Sequence, residues 1–137
     1  MRFTARLLAG RVTIETAVPD SLPLLMVDKG VLARALTNII ENALHAMPGG
    51  GSLRIEAVVQ DESHLLLDII DTGVGMDRAS LDRIFEPYFS TRGSGTGLGL
   101  TIAKRNVELN GGTISVESER GRGTTVRITL PTVQVEA

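Results

Sequence analysis

Period-two alternation of β-branched and polar residues marks Arg11 to Val18 as a strand, and Pro19-Asp-Ser-Leu-Pro23 breaks it. The pattern predicts a short strand at 24–27, then a helix from Asp28, a capping residue, to about Met47, ended by Pro48-Gly-Gly-Gly51. Alternation resumes over 52–59. A polar turn at 60–63 and an apolar run over 64–70 complete a hairpin whose second strand is the more central. A glycine loop covers 71–76. A short helix is expected over 78–85, an irregular stretch over 86–96, and a helix from about Gly97 to Leu109, stopped by Asn110-Gly-Gly112. Strands near 113–117 and 124–130 close the pattern around Gly121-Arg-Gly123. Helices and strands alternate without a strict βαβ rhythm, which predicts an α+β fold: a mixed sheet with helices on one face.

On the 28–47 helix, at about 100° per residue, Leu32, Leu36, Ile39, Ile40, Ala43 and Met47 gather on one face, the expected core. Asn38, Glu41, Asn42 and His45 gather on the other side. A polar helix face is usually just wet. Asparagine inside a helix is unfavourable, however, because its side chain competes for backbone hydrogen bonds. A pair at i and i+4 therefore points to use. An amide oxygen is a neutral, hard ligand suited to Mg²⁺, which takes most of its charge neutralisation from phosphates. His45 can donate to a phosphate.

The 137 residues match one domain, with an upstream remnant expected at 1–10, a folded unit at 11–131 and a tail at 132–137. Apolar residues make up 42% and aromatics only 3%, so aliphatic side chains must fill the core. A net charge of −2 with no basic run argues against nucleic acid. The absence of cysteine excludes disulfides and thiolate metal sites. No apolar run is long enough to span a bilayer, and the start is too broken for a signal peptide. A cytoplasmic domain is expected, with any membrane anchor elsewhere in a longer parent protein.

Two further motifs carry chemistry. Asp71 follows the most apolar strand and precedes Thr-Gly-Val-Gly75. An ionised carboxylate there is acceptor-only, so it can take a hydrogen bond from an adenine 6-amino group and repel a guanine 6-oxo group. Gly73 and Gly75 would let the backbone approach a flat ring. An ordinary Asp-X-Gly turn is the plainer reading of this segment taken alone. Gly93, Gly95, Gly97 and Gly99 alternate before a helix whose first N–H groups can meet an anion, and Arg92 precedes them. Ordering so many glycines is costly, which suggests a lid held by its ligand. The segment is neither a dinucleotide fingerprint nor a P-loop.

The ordered set resembles the ATP-binding catalytic domain of bacterial two-component sensor histidine kinases, within the superfamily of gyrase B, Hsp90 and MutL. Asn38-Ile-Ile-Glu-Asn42-Ala-Leu resembles its asparagine box and Asp71-Thr-Gly-Val-Gly-Met76 its first glycine box. Phe85-Glu-Pro-Tyr-Phe89 resembles the phenylalanine box, Gly95-Thr-Gly-Leu-Gly-Leu100 the second glycine box, and Gly121-Arg-Gly-Thr124 the last glycine motif. The resemblance implies a two-layer α/β sandwich of about five strands with three helices on one face. It implies that Asn42 binds Mg²⁺, that Asp71 reads adenine with Thr124 supporting it through water, and that a lid over 76–99 is anchored by Phe85 and Phe89. Met76, Phe89, Gly95, Thr96, Gly97, Leu98 and Gly99 then join Asn38, His45 and Arg92 around ATP.

The sequence departs from the family where His45 stands at a position often lysine, and no phosphoacceptor histidine has a suitable context, since only His45 and His64 exist. The resemblance therefore implies one domain, monomeric in isolation, that exchanges ATP for ADP. Its γ-phosphate would pass to a dimerisation and phosphotransfer domain of the same parent, and from there to a response regulator. No catalytic residue is assigned. Glu41 is a weak candidate for orienting groups near the γ-phosphate. Asn38 occupies the position of the water-activating glutamate of gyrase-like relatives, which predicts little hydrolysis. The alternatives are an anti-sigma serine kinase acting as a binding switch, against which Phe85-Glu-Pro-Tyr-Phe89 argues, and an adenine-nucleotide sensing module without chemistry.

Overall fold

Strand register organises the molecule in the computed structural model, which describes residues 2–7, 11–89 and 99–133. One mixed sheet has the order β1-β2-β3-β4-β6-β5. Its strands are β1 (Arg2–Leu7), β2 (Val12–Ala17), β3 (Gly51–Asp61), β4 (His64–Asp71), β5 (Thr113–Glu119) and β6 (Gly123–Pro131). Among these described strands only β2 and β3 pair in parallel, Ile14 opposite Leu53, and the crossover between them carries helix α1 (Lys29–His45). The 64–71 strand is central, as its continuous apolar run predicts, flanked by β3 and β6.

Five of these strands are those the alternation predicts. The sixth, β1, lies in the segment read as a remnant, and it pairs antiparallel with β2 along the sheet edge. Its six residues offer too short a pattern to stand out, and backbone pairing defines it. The strand expected at 24–27 shrinks to one bridge between Leu24 and Val133. Pro23 removes a donor there, and Met26 is exposed.

Asp28 caps α1, its carboxylate accepting from the Val31 amide at 3.0 Å. The buried positions Ala35, Ile39 and Ala43 follow the helical period. Helix α2 spans only Arg78–Leu81. Tight i+3 turns carry the chain from there to Phe89. Helix α3 (Gly99–Leu109) buries Leu100, Ala103 and Val107. These side chains meet Ala35, Ile39 and Ala43 over Leu53, Ile69, Ile128 and Leu130 of the sheet, forming one aliphatic core. On the opposite sheet face Arg127 grips Asp68 with two nitrogens at 2.8 and 2.9 Å.

Candidate functional site

Asp71 is the one charged residue buried among those described, at 6% exposure. It ends β4, opposite Leu53 on one side and Thr124 on the other. Its Oδ1 accepts from the Gly73 amide at 2.8 Å and the Thr124 amide at 3.2 Å. Neither bond uses Oδ2. Burial pushes the carboxyl above its ordinary range, and the two amides pull it back in part. The contact from Thr124 is thus direct and from the backbone. Its hydroxyl instead meets Ser118 Oγ at 2.8 Å.

The loop after Asp71 is stitched between two walls. On one side the Val74 amide donates to the Ala46 carbonyl at the end of α1, at 2.9 Å. On the other, the Gly121 amide donates to Val74 O at 2.7 Å, and the Met76 amide donates to Ser118 Oγ at 2.9 Å. The glycines are there for protein, at least in part. A Cβ on Gly73 would stand 2.5 Å from Ala46 O. On Gly75, at φ +69°, it would stand 2.0 Å from Glu119 O. Only glycine passes both places.

These walls enclose a cavity of about 290 Å³, close to the low end for small-ligand pockets. Its apolar lining includes Ile39, Ala43, Ile69, Leu100 and Val126. The polar groups around it include Asp71, Thr124, Asn42, His45 and Arg120. Asn42 is half-buried at the edge of the core stripe, beside Ala43, rather than on the far side of the helix. Its Oδ1 would lie 3.8 Å from a Cβ at Gly99, so the amide oxygen sits against the first residue of α3. Gly99 and Leu100, in that helix's first turn, line the same cavity.

The segment before the second glycine run is fastened to α3. Thr101 Oγ1 donates to the Phe85 carbonyl at 2.9 Å, and Lys104 lies 5.0 Å over the Phe85 ring. Arg83 lies 4.6 Å over the ring of Phe89, which lines the cavity.

Of the residues expected from sequence, the cavity gathers Asn42, His45, Asp71, Gly75, Met76, Phe89, Gly99 and Thr124. Asn38, Glu41 and Gly73 are not in its lining. Arg92, Gly95, Thr96, Gly97 and Leu98 lie outside the described residues. Sequence reasoning missed Ser118 and Arg120. The latter lines the cavity and is paired with Asp77 at 3.1 Å. Asp77 caps α2, and the Ser80 backbone bond, with Arg120 adding, holds its carboxyl below the ordinary range. Among the described residues no cluster of three acidic, histidine or cysteine side chains could hold a metal. The donor among them whose chemistry fits a hard cation is the Asn42 amide oxygen, a neutral ligand that would leave phosphates and water to complete the shell.

Comparison with known proteins agrees with this geometry. Residues 27–134 match the family described as histidine kinase-, DNA gyrase B-, and HSP90-like ATPase. Sporulation kinase E of Bacillus subtilis (strain 168) is 37% identical over 123 residues, which is 90% of this chain and 17% of that protein. The sensor histidine kinase ZraS of Escherichia coli (strain K12) is 38% identical over 112 residues, 82% of this chain and 24% of that protein. The chain thus spans a minor part of these relatives' length. Among solved structures, the mycobacterial sensor histidine kinase MprB superposes with a TM-score of 0.79 at 30% identity, covering 89% of this chain and 83% of that one. Full-length ShkA in complex with AMPPNP gives 0.79 at 31% identity, over 92% of this chain and 27% of that one.

Proposed function

The chain belongs to the histidine kinase-, DNA gyrase B- and HSP90-like ATPase family, and on that premise we propose that it binds Mg²⁺–ATP in the cavity beneath Asp71. There it presents the γ-phosphoryl group to a histidine on a separate dimerisation domain of a longer two-component sensor kinase. The observation that carries this reading is a buried carboxylate whose Oδ1 is saturated by two backbone amides. Oδ2 is left to accept from the adenine 6-amino group, and the aliphatic lining takes the faces of the base. The similar ShkA was solved with AMPPNP bound, which supports an adenine nucleotide here.

Asn42 would hold Mg²⁺, which supplies charge neutralisation to the phosphates. The first turn of α3, beginning at Gly99 beside Asn42 Oδ1, offers N–H groups to the same phosphates. His45 adds a donor at the rim. Arg92, Gly95, Thr96, Gly97 and Leu98 are assigned to the phosphate end by their place in the sequence. Glu41 and Asn38, outside the lining, receive no catalytic role. Such a transfer needs positioning and charge neutralisation more than covalent participation by the protein. No helix of the described residues is long and apolar enough to cross a membrane. The reaction is assigned to the cytoplasm, where ATP is supplied and a response regulator would accept the phosphoryl group onward.

Titration calorimetry of this chain with ATP and Mg²⁺ tests the binding, and labelled ATP with the parent's dimerisation domain tests the transfer. Heat for ATP above GTP, and an acid-labile label on the added domain, are expected. No heat for adenine nucleotides, or a preference for guanine, overturns the reading.

A further inference from the structure

Ser118 lies in β5, outside the cavity lining, yet its hydroxyl joins three hydrogen bonds. The Met76 amide lies 2.9 Å from Oγ, the Gly123 carbonyl 3.1 Å and the Thr124 hydroxyl 2.8 Å. A serine hydroxyl has one hydrogen and two lone pairs. The Met76 N–H can only donate, and the Gly123 carbonyl can only accept. When Ser118 donates to Gly123 and Thr124 donates to Ser118, all three bonds form and each hydrogen is used once. If Ser118 turned its hydrogen to Thr124, the bond to Gly123 would be lost. The first arrangement makes one bond more, so it fixes the direction of each.

The single hydrogen of Thr124 is thereby committed to Ser118, so its oxygen meets a ligand in the cavity only as an acceptor. Thr124 stands opposite Asp71 in the β4–β6 register, donates its amide to Asp71 Oδ1, and lines the cavity with it. The two together form an acceptor-only edge. We propose that Ser118 is a positioning residue that holds the Thr124 hydroxyl in the acceptor sense, so that the site rejects purines carrying a 6-oxo group. This rests on the proposed function, which puts the purine 6-position at Asp71.

The test measures dissociation constants of the whole chain for ATP and inosine triphosphate, with Mg²⁺, and takes the ratio of the inosine triphosphate constant to the ATP constant. In Ser118→Ala the Thr124 hydroxyl is free to rotate and donate to the 6-oxo group. The ratio should then fall about five-fold, the scale of one neutral hydrogen bond, mainly through tighter inosine triphosphate binding. Ser118→Thr, which keeps the hydroxyl, should restore the ratio. In a Thr124→Val background, Ser118→Ala should leave the ratio where Thr124→Val alone puts it. Should Ser118→Ala fail to fold, Ser118→Cys, a near-isostere with a weak donor, serves in its place.

An unchanged ratio in folded Ser118→Ala overturns the proposal. Equal weakening of both nucleotides does so too, since it reduces Ser118 to a support for the Met76 loop. So does an undiminished effect in the Thr124→Val background. In each of these cases wild-type ATP binding still stands. A wild-type chain that binds no ATP instead overturns the functional reading, and this inference with it.

Discussion

Replacing Asp71 with asparagine keeps the shape of the side chain and reverses the polarity of one of its two outer atoms. The carboxamide oxygen can take the place of Oδ1 and accept from the Gly73 and Thr124 amides, now 2.8 and 3.2 Å away. The NH₂ group then falls where Oδ2 was. Facing an adenine 6-amino group it sets donor against donor, and the bond to a charged acceptor is gone. Such bonds contribute about 1.5–3 kcal/mol, which makes the expected loss of ATP affinity roughly 10- to 150-fold. Binding of a 6-oxo purine triphosphate should improve in the same variant.

Stability should move the other way. Burial raises the folded-state value of the Asp71 carboxyl above its unfolded one. The associated stability is therefore full in acid, below the unfolded value, and is lost as pH rises through the raised folded value. Asparagine does not titrate, so the variant should gain on the parent over that window when the two are compared by urea denaturation. ATP affinity of the parent should fall as pH drops through the same raised value, and that of Asp71→Asn should stay level. Calorimetry on folded protein decides the matter: a variant that binds ATP as tightly as the parent refutes the reasoning.

Gly75→Ala combines a positive φ with a Cβ 2.0 Å from the Glu119 carbonyl. It should cost about 2 kcal/mol or more of stability, read as a lowered midpoint in urea; an unmoved midpoint would contradict the packing described. Asp28→Ala removes the α1 cap and should cost about 1 kcal/mol by the same assay, with little change in nucleotide affinity because Asp28 is not among the residues that line the cavity. The isolated domain should hydrolyse ATP scarcely faster than buffer, since Asn38 cannot accept a proton usefully at neutral pH; rapid release of inorganic phosphate would falsify this.

Most of the fold was legible because its signals are local. Asp28 announces the start of α1, and Pro48 with the glycines announces its end. The apolar run Leu65–Ile70 identifies the central strand. Where the expectation failed, a contact distant in sequence decided the outcome. β1 exists through pairing with β2, and the 24–27 strand was cut to one bridge to Val133. The 78–85 helix stops early, at Leu81, in the approach to Pro87.

The candidate site divides along the same line. Asn42, Asp71 and Thr124 could be named because each sits in a short motif whose chemistry is a property of the motif. Ser118 could not, because a serine in an alternating strand reads as an ordinary polar position. Its meaning arises only when β5 pairs with β6 in the register that sets Ser118 opposite Thr124, while the loop after Asp71 returns to place the Met76 amide over it. The glycines teach a related lesson. Gly73 and Gly75 suggested close approach to a ligand, and the approach is real, but its first object is protein: the end of α1 for one and the β5–β6 turn for the other. By fastening this loop on both sides, the fold can hold a carboxylate in a largely apolar cavity without leaving its inner oxygen unpaired. The sheet holds the Asp71 backbone between Leu53 and Thr124, and the fastened loop adds the Gly73 amide, so the carboxylate keeps two donors that offset part of its desolvation.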